Sequence, residues 1–561
     1  MTEQDQNWFQ EGLTDSFVED LKQRIEAAIL PGAEKYFEEG GNAYTQNSPD
    51  LKRAEMAVNY FDYQPCAVSV LAVLAAKGNR SAEMIVRRIF DNVSYYLEEW
   101  RSQEGFTTSL RRSQLHLVLA YEILYDLLDS DIQTRWRALL LRSAVDMLEH
   151  FDHFQEKLPA LDNRGFGTGI NHVAIAAEGI WRTGYVLDQP NFCEMAGGFI
   201  DRLIDYGHPD GYFEEHTNDE REGGPSLVYT PLTAGCAYMV SRWRQVADVD
   251  RFARCGALFR NFCDSHIRAM PFADERANPH GLGPYGVALH ALSLEGRGFL
   301  RKALNPEDNP SLTSNGRLEY LSRLYFELDN SERGPGTTPE PWQDGSFRIT
   351  LPLGVQRANG WHAGISGMRA LNRTLSPDGD YALDRQTLVY LSHDRAGTIV
   401  SGAKSKKNPD WSTIRIGEDA YPVRTGQLDE GFQATAHYEA FNATASWTLD
   451  RDAELALSTD SDEPATAQIV LELCTGSSIE VDGKAISLDD TQETVESVTT
   501  VSTSKWTVRC SEPASFVWYL SPFDPYSEAN KSAPGSRRPV LRVPFYGSMS
   551  FTFSPSESSD G

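Results

Sequence analysis

The chain has 561 residues and a formal net charge of −28, from 80 acidic against 52 basic side chains. That length exceeds the ~100–200 residues usual for one domain, so two or more domains with real cores are expected, and a field of that sign opposes nucleic acid and anionic membranes as partners. The seven cysteines, Cys66, Cys193, Cys236, Cys255, Cys263, Cys474 and Cys510, have no CxxC spacing, and their odd number argues for reduced thiols and against a complete disulfide framework.

The first residues, Met1 to Asn7, have neither a basic nor an apolar signal-like stretch, and no apolar run approaches the ~18–20 residues of a membrane span. A cytoplasmic location is therefore expected, unless a leader has been removed. From about Leu13 to Leu328 apolar residues recur at helical spacing, as in Leu115, Leu117, Leu119, Ala120, Ile123, Leu124 and Leu127. Breakers at Gly78-Asn79, Asp129-Ser130-Asp131, 165–169, 207–211, 223–225 and 279–284 cut this region into helical hairpins, and roughly five to seven fit the length. The Gly/Pro/Thr-rich run from Ser331 to Pro341 cannot continue a helix.

Beyond it come short β-rich runs: Phe347 to Leu351, Thr387 to Leu391, Gly397 to Val400, Ala434 to Tyr438, Ala443 to Leu449, Ala467 to Leu473, Val498 to Val501, Trp506 to Arg509 and Ser515 to Leu520. The fold class read from this pattern is multidomain α + β, with helical hairpins over residues 1–330, a linker at 331–345, an antiparallel β-sandwich at 346–555 and a frayed tail at 556–561.

Chemistry concentrates between Gly165 and Tyr229. Gly165-Phe166-Gly167-Thr168-Gly169-Ile170-Asn171-His172 leads into an apolar helical run, for which Asn171 is a favoured N-cap. A helix start also turns N–H groups and positive dipole toward a bound anion. Asp210-Gly211-Tyr212-Phe213-Glu214-Glu215-His216 follows, and then Tyr229-Thr230. Read alone, Asn171 fits a plain cap and His172 an ordinary first-turn residue.

Together these motifs resemble the superfamily of heparinase II/III, alginate lyase and hyaluronate/chondroitin lyase, with the likeness running from about Leu110 to Tyr238 and more loosely through the β-region. The 210–216 segment is similar to the Asp-Gly-Ser-Phe stretch that precedes the catalytic histidine in the hyaluronate lyase branch, although the gap from His216 to Tyr229 is wider, with Glu220 to Gly224 as an apparent insert and Tyr238 as an alternative register. The resemblance implies an incomplete (α/α) toroid followed by an antiparallel β-sandwich. It also implies β-elimination on a uronic-acid glycan, so that the partner is an acidic oligosaccharide or polysaccharide.

Such a reaction needs a neutraliser for the uronate carboxylate, a base for H5 and an acid for the departing O4 oxygen. The resemblance gives the catalytic set as Asn171, His172, His216 and Tyr229. Asn171 would neutralise and Tyr229 would act as acid, while the base is left open among His172, His216 and Tyr229. Arg164, Arg276 and His280 are candidate substrate-binding residues on rim loops, able to meet carboxylates as Arg and His do. Trp361, His362 and His393 in the β-region are candidate substrate contacts. No redox or nucleotide cofactor is implied. His393-Asp394 lacks the three or four ligands of a zinc site, so no metal is assigned and a structural one stays open. Three rival readings remain: a hydrolase using carboxylates of the acidic run Glu214 to Glu222, most of which reads as a solvated loop; a uronate epimerase; and a carbohydrate-binding protein without turnover.

Overall fold

A computed structural model describes residues 8–39, 64–95, 97, 110–155, 170–214, 224–273, 281–307, 318–369, 387–401, 412–473, 478–486, 494–519 and 538–556. The chain divides into a helical unit (Met1–Asp219, Tyr229–Ala257 and Gly283–Pro339) and a strand unit (Glu220–Val228, Leu258–Leu282 and Glu340–Gly561).

The helical unit carries α1 (Asp15–Glu39), α2 (Val68–Ala76), α3 (Arg80–Tyr95), α4 (Arg111–Leu124), α5 (Ser130–Gln155), α6 (Ile170–Val186), α7 (Pro190–Tyr206), α8 (Tyr229–Trp243), α9 (Val249–Asn261, whose last turn from Leu258 belongs to the strand unit), α10 (Val287–His290), α11 (Leu294–Ala303) and α12 (Leu318–Asp329). Two kinds of helix alternate. On α6 almost every side chain from Ile170 to Trp181 is buried, whereas α7 buries one stripe, Phe192, Ala196, Phe199, Ile200 and Leu203. An all-round apolar helix must be enclosed by others, and a one-stripe helix faces water on its other side. Left-handed Asp188 in the loop between them and Pro190 at the start of α7 turn the chain back within three residues, which makes an antiparallel hairpin.

The enclosed helices pack in succession, α2 on α4, α4 on α6, α6 on α8, α8 on α10 and α10 on α12, and α12 packs on the 3₁₀ turn Gln64–Ala67 that leads into α2. This is the layout of an (α/α) toroid. Gly286 is required where α10 meets α8: its φ is +82°, and a Cβ there would lie 2.8 Å from the Pro231 carbonyl oxygen.

In the strand unit, β1 (Gly345–Arg348), β2 (Leu353–Ala358), β3 (Trp361–Ser366), β4 (Val389–His393) and β5 (Gly397–Val400) form an antiparallel meander in that order. A larger sheet holds β6 (Ile414–Arg415), β7 (Arg424–Leu428), β8 (Gln433–His437), β9 (Asn442–Leu449), β10 (Ala453–Thr459), β11 (Ala465–Val470), β12 (Ile479–Val481), β13 (Lys484–Ile486), β14 (Thr494–Thr503), β15 (Trp506–Tyr519), β16 (Arg538–Phe545) and β17 (Ser548–Pro555). Alternate residues of β9 and β10 point inward, so Ala443, Ala445, Trp447, Ala453, Leu455 and Leu457 enter one core with Trp361, Ala363 and Ile365 of the small sheet.

The sequence pattern separates Trp506 to Arg509 from Ser515 to Leu520, but the structure makes one strand of them. β15 pairs with β17 over Trp506–Cys510 and with β16 over Ser515–Tyr519. Pro513 sits where the partner changes and no ladder donor is needed, which is why the proline reads as a turn yet is tolerated in the strand.

Segment Leu258–Leu282 belongs to the strand unit although helices flank it in sequence. Its ties are polar and buried. Tyr390 donates to Asp264 Oδ2 at 2.7 Å, Arg260 makes two bonds to Glu340 at 2.7 and 2.8 Å, and Arg357 donates to the carbonyls of Asn261 and Cys263. Burial lowers the Arg357 guanidinium to about 10. Phe272 fills the notch left by Gly364, where a Cβ would lie 2.0 Å from its ring.

Candidate active site

The helical unit positions two of the sequence candidates at one end. α6 and α8 run parallel: Glu178 of α6 lies against Cys236 of α8, and farther along both helices Trp181 stacks on Trp243 with ring centroids 5.3 Å apart. Asn171 stands on the first turn of α6 and Tyr229 opens α8, so both occupy the starting ends of neighbouring parallel helices. Thr230 fixes the approach to α8, its Oγ1 accepting from Phe213 N at 3.1 Å and donating to Phe213 O at 3.2 Å. That anchors the Asp210-to-Glu214 segment beside Tyr229. His208 stacks on Tyr212 in the same turn.

Asn171 differs from the sequence expectation. It is not an N-cap, because α6 has already begun at Ile170. Its side chain is 2% exposed, and Oδ1 is buried with no hydrogen-bond partner among the described residues. An unpaired buried amide oxygen costs ~1–3 kcal/mol, an expense a capping residue avoids. The amide can be turned to offer either its oxygen or its NH₂ to an incoming polar group. His172, one residue on, is half-buried, and Tyr229 is half-buried at its helix start. Tyr238, the alternative register, is a core residue, 3% exposed and edge-on to Phe252.

Glu214 departs from the reading of its run as a solvated loop: it is 4% exposed, directly after the anchored Phe213. His216, Arg164, Arg276 and His280 lie outside the described residues, as do Glu215, Asp219, Glu220 and Glu222.

The strand unit holds the other three candidates. Trp361 is wholly buried, its indole donating to the Arg451 carbonyl at 3.3 Å, and it packs edge-on against His393. His393 accepts from the Arg395 backbone N–H through Nδ1 at 3.2 Å and bonds the Asn359 backbone as well. Burial, with Arg395 and His362 nearby, lowers its pKa to about 4 despite Asp394. A neutral imidazole with backbone partners and a buried tryptophan thus frame the β3–β4 pair.

His362 differs from both: Nε2 meets Asp394 Oδ1 at 2.8 Å, while Nδ1 is buried with no partner among the described residues. Burial pushes the Asp394 carboxyl up, but its bond with His362 and the two imidazoles outweigh that and hold it below the usual carboxylate range. Sequence reasoning missed Asp394 as the partner of His362; His-Asp in a β-hairpin next to a second histidine strand was the available signal. Among the described residues no three His, Cys, Asp or Glu side chains converge as a metal site would require, and no helix is long and apolar enough to cross a membrane.

No family model matches the chain, and no curated protein sequence does. Solved structures do match. A Paenibacillus xanthan lyase aligns with a TM-score of 0.54 and 12% identity over 96% of this chain, which spans 57% of the length of that lyase. Heparinase III aligns with a TM-score of 0.53 and 12% identity over 88% of this chain and 76% of its own. The chain has the fold of the toroid-plus-sandwich polysaccharide lyases. The Streptomyces coelicolor A3 chondroitin AC lyase, solved with chondroitin sulphate, shares that toroid-plus-sandwich fold at a TM-score of 0.50 and 14% identity over 97% of this chain and 83% of its own. At such identities the likeness is one of architecture, and the chemistry must be argued from residues.

Proposed function

We propose that this protein is a polysaccharide or oligosaccharide lyase that cleaves a uronic-acid-containing glycan by β-elimination. The observation that carries the reading is Asn171, a buried amide whose oxygen has no partner among the described residues, at the same end of two parallel helices as the Tyr229 phenol. The likeness in fold to a xanthan lyase, heparinase III and a chondroitin AC lyase supports it.

In the proposed reaction Asn171 hydrogen-bonds the uronate carboxylate, so that charge developing there as H5 leaves is stabilised without a full counter-charge. A base takes H5, the C5–H electron pair becomes the C4–C5 double bond, the C4–O bond breaks, and the departing oxygen takes a proton from Tyr229. Tyr229 can serve both steps when H5 and O4 lie on one face: starting as the phenolate, it takes H5 and then passes that proton to the departing O4 oxygen; His172 and His216 would assist. The product carries an unsaturated uronate at its new end.

The test is ultraviolet absorbance of purified protein incubated with a panel of uronic-acid glycans. A rise that Tyr229→Phe abolishes is the expected result. New reducing ends without absorbance would replace elimination by hydrolysis, for which buried Glu214 is the carboxylate to examine first.

A further inference from the structure

The helical unit buries a charge cluster that the proposed reaction does not use. Arg323 of α12 is 1% exposed, donates from Nε and Nη2 to Glu327 Oε1 at 3.0 and 2.7 Å, and from Nη1 to Glu178 Oε2 at 2.5 Å. Its guanidinium lies over the Tyr285 ring, 4.4 Å from the centroid. Both carboxylates are as buried as the guanidinium. Such a cluster is a poor source of stability, since desolvating three charges offsets most of their attraction, so its use lies in specifying an arrangement.

Each arm leads to one of the two candidate site residues. Glu178 stands about two turns along α6 from Asn171, on the same helical stripe. Cys236, against which Glu178 lies, stands about two turns along α8 from Tyr229. Through the other arm, Glu327 accepts from the backbone N–H groups of Gly286 at 3.3 Å and Ala288 at 2.9 Å. Gly286 is wedged against Pro231 and Gly235, in the first two turns of α8. One planar fork therefore grips the helix of Asn171 and, through the Gly286 turn, the helix of Tyr229.

We infer that Arg323 is a positioning residue that sets the first turn of α8 against the first turn of α6, and with it the Tyr229 phenol against the Asn171 amide. This role rests on the lyase reading for its catalytic consequence, though not for its structural one. A lysine in its place would keep the charge but supply a single point where the fork spans two carboxylates.

The experiment compares wild type, Arg323→Lys, and a neutral triple variant, Arg323→Met/Glu178→Gln/Glu327→Gln, which leaves no unpaired buried charge and so keeps the test alive if the lysine variant does not fold. Backbone hydrogen exchange is followed over Ile170–Glu178 and Tyr229–Cys236, and turnover over the glycan panel. We expect exchange in those two segments to quicken at least about tenfold, with the rest of the helical unit unchanged, and kcat to fall about 10²-fold with KM held within about threefold. Unchanged exchange in the two segments overturns the inference, and so does an increase spread evenly over the unit, which is what a merely structural role predicts. Should wild type form no unsaturated product on any glycan, the lyase reading fails by itself, and the exchange pattern still decides whether Arg323 holds the two helix starts.

Discussion

The two units bury polar groups in different ways. In the helical unit one guanidinium serves two carboxylates and, through them, backbone N–H groups, so the charges tie helices to one another. In the strand unit such bonds, Tyr390 to Asp264 and His362 to Asp394 among them, fasten loops to a sheet edge or hairpin. Each unit nevertheless leaves buried polar atoms unpartnered among the described residues, Asn171 Oδ1 among them in the first and His362 Nδ1 among them in the second. Bundled helices have side chains alone with which to fix their register, whereas strands already fix theirs by the ladder. The helical unit therefore has more to lose from a single charge deletion.

The sharpest test of that contrast is at Asn171 and His362. Asn171→Ala and Tyr229→Phe are each expected to lower elimination by about 10²–10⁴-fold, whereas His362→Gln, which retains a polar partner for Asp394, is expected to lower it by less than about tenfold, as read by absorbance of the unsaturated product. A larger loss at His362 would place chemistry in the strand unit and break the comparison. Next in size is charge deletion. Glu178→Ala leaves Arg323 with one carboxylate and is expected to destabilise the helical unit by about 3–5 kcal/mol. Asp264→Ala, which leaves a neutral tyrosine hydroxyl and backbone N–H groups behind, is expected to cost about 1–3 kcal/mol. Denaturant unfolding followed by probes placed in each unit would measure both.

Acid provides a smaller effect with a defined sign. Burial lowers His116 in the helical unit to about 3, with Arg323 adding to the effect, and burial lowers His393 in the strand unit to about 4. In both cases the folded state binds protons less readily than an unfolded chain with a pKa near 6.5, so stability is fully present above that value and is lost as pH falls. The loss runs down to about 3 for His116 and stops near 4 for His393, at no more than about 1.4 kcal/mol per pH unit for each group. His116→Gln and His393→Gln should each flatten the acid limb of their own unit, and a profile unchanged by either would contradict the buried neutral state. Smallest of all, Glu214→Gln should leave glycan turnover, read as new reducing ends, within about threefold, because a lyase asks no carboxylate of that position; a loss of about 10²-fold would favour hydrolysis.

The order of helices and strands was legible because both periods are strong: the Ile85, Val86, Ile89, Phe90, Val93 stripe of α3 and the alternation of β9 and β10 need no tertiary information. What escaped depended on distant partners. Phe262 to Phe272 reads as the end of a helical region, and distant partners such as Tyr390, 126 residues beyond Asp264, show that it belongs with the sheet. Arg323 and Glu327 form an i,i+4 pair of the kind seen on solvated helix faces. Their burial was hinted at only by the crowding of Leu321, Leu324, Phe326 and Leu328 around them. For the site, the residue types of Asn171 and Tyr229 were visible, but asparagine is as much at home on a cap, and that ambiguity is lifted only by seeing where α6 begins.

The interleaving of the two units bears on how the protein is made. Glu220–Val228 and Leu258–Leu282 leave the ribosome well before the strands they belong with, and Gly283–Pro339, which includes α12, follows them. At ~5–20 residues per second, the two early segments wait on the order of ten seconds or more for the sheet to emerge. The apolar residues they carry, among them Phe262, Phe272 and Leu282, have no sheet to cover them in that interval. A nascent chain stalled between residues 282 and 340 should therefore be a preferred client of holdase chaperones, and a cut between Pro339 and Glu340 would leave the strand unit without its Glu220–Val228 and Leu258–Leu282 segments.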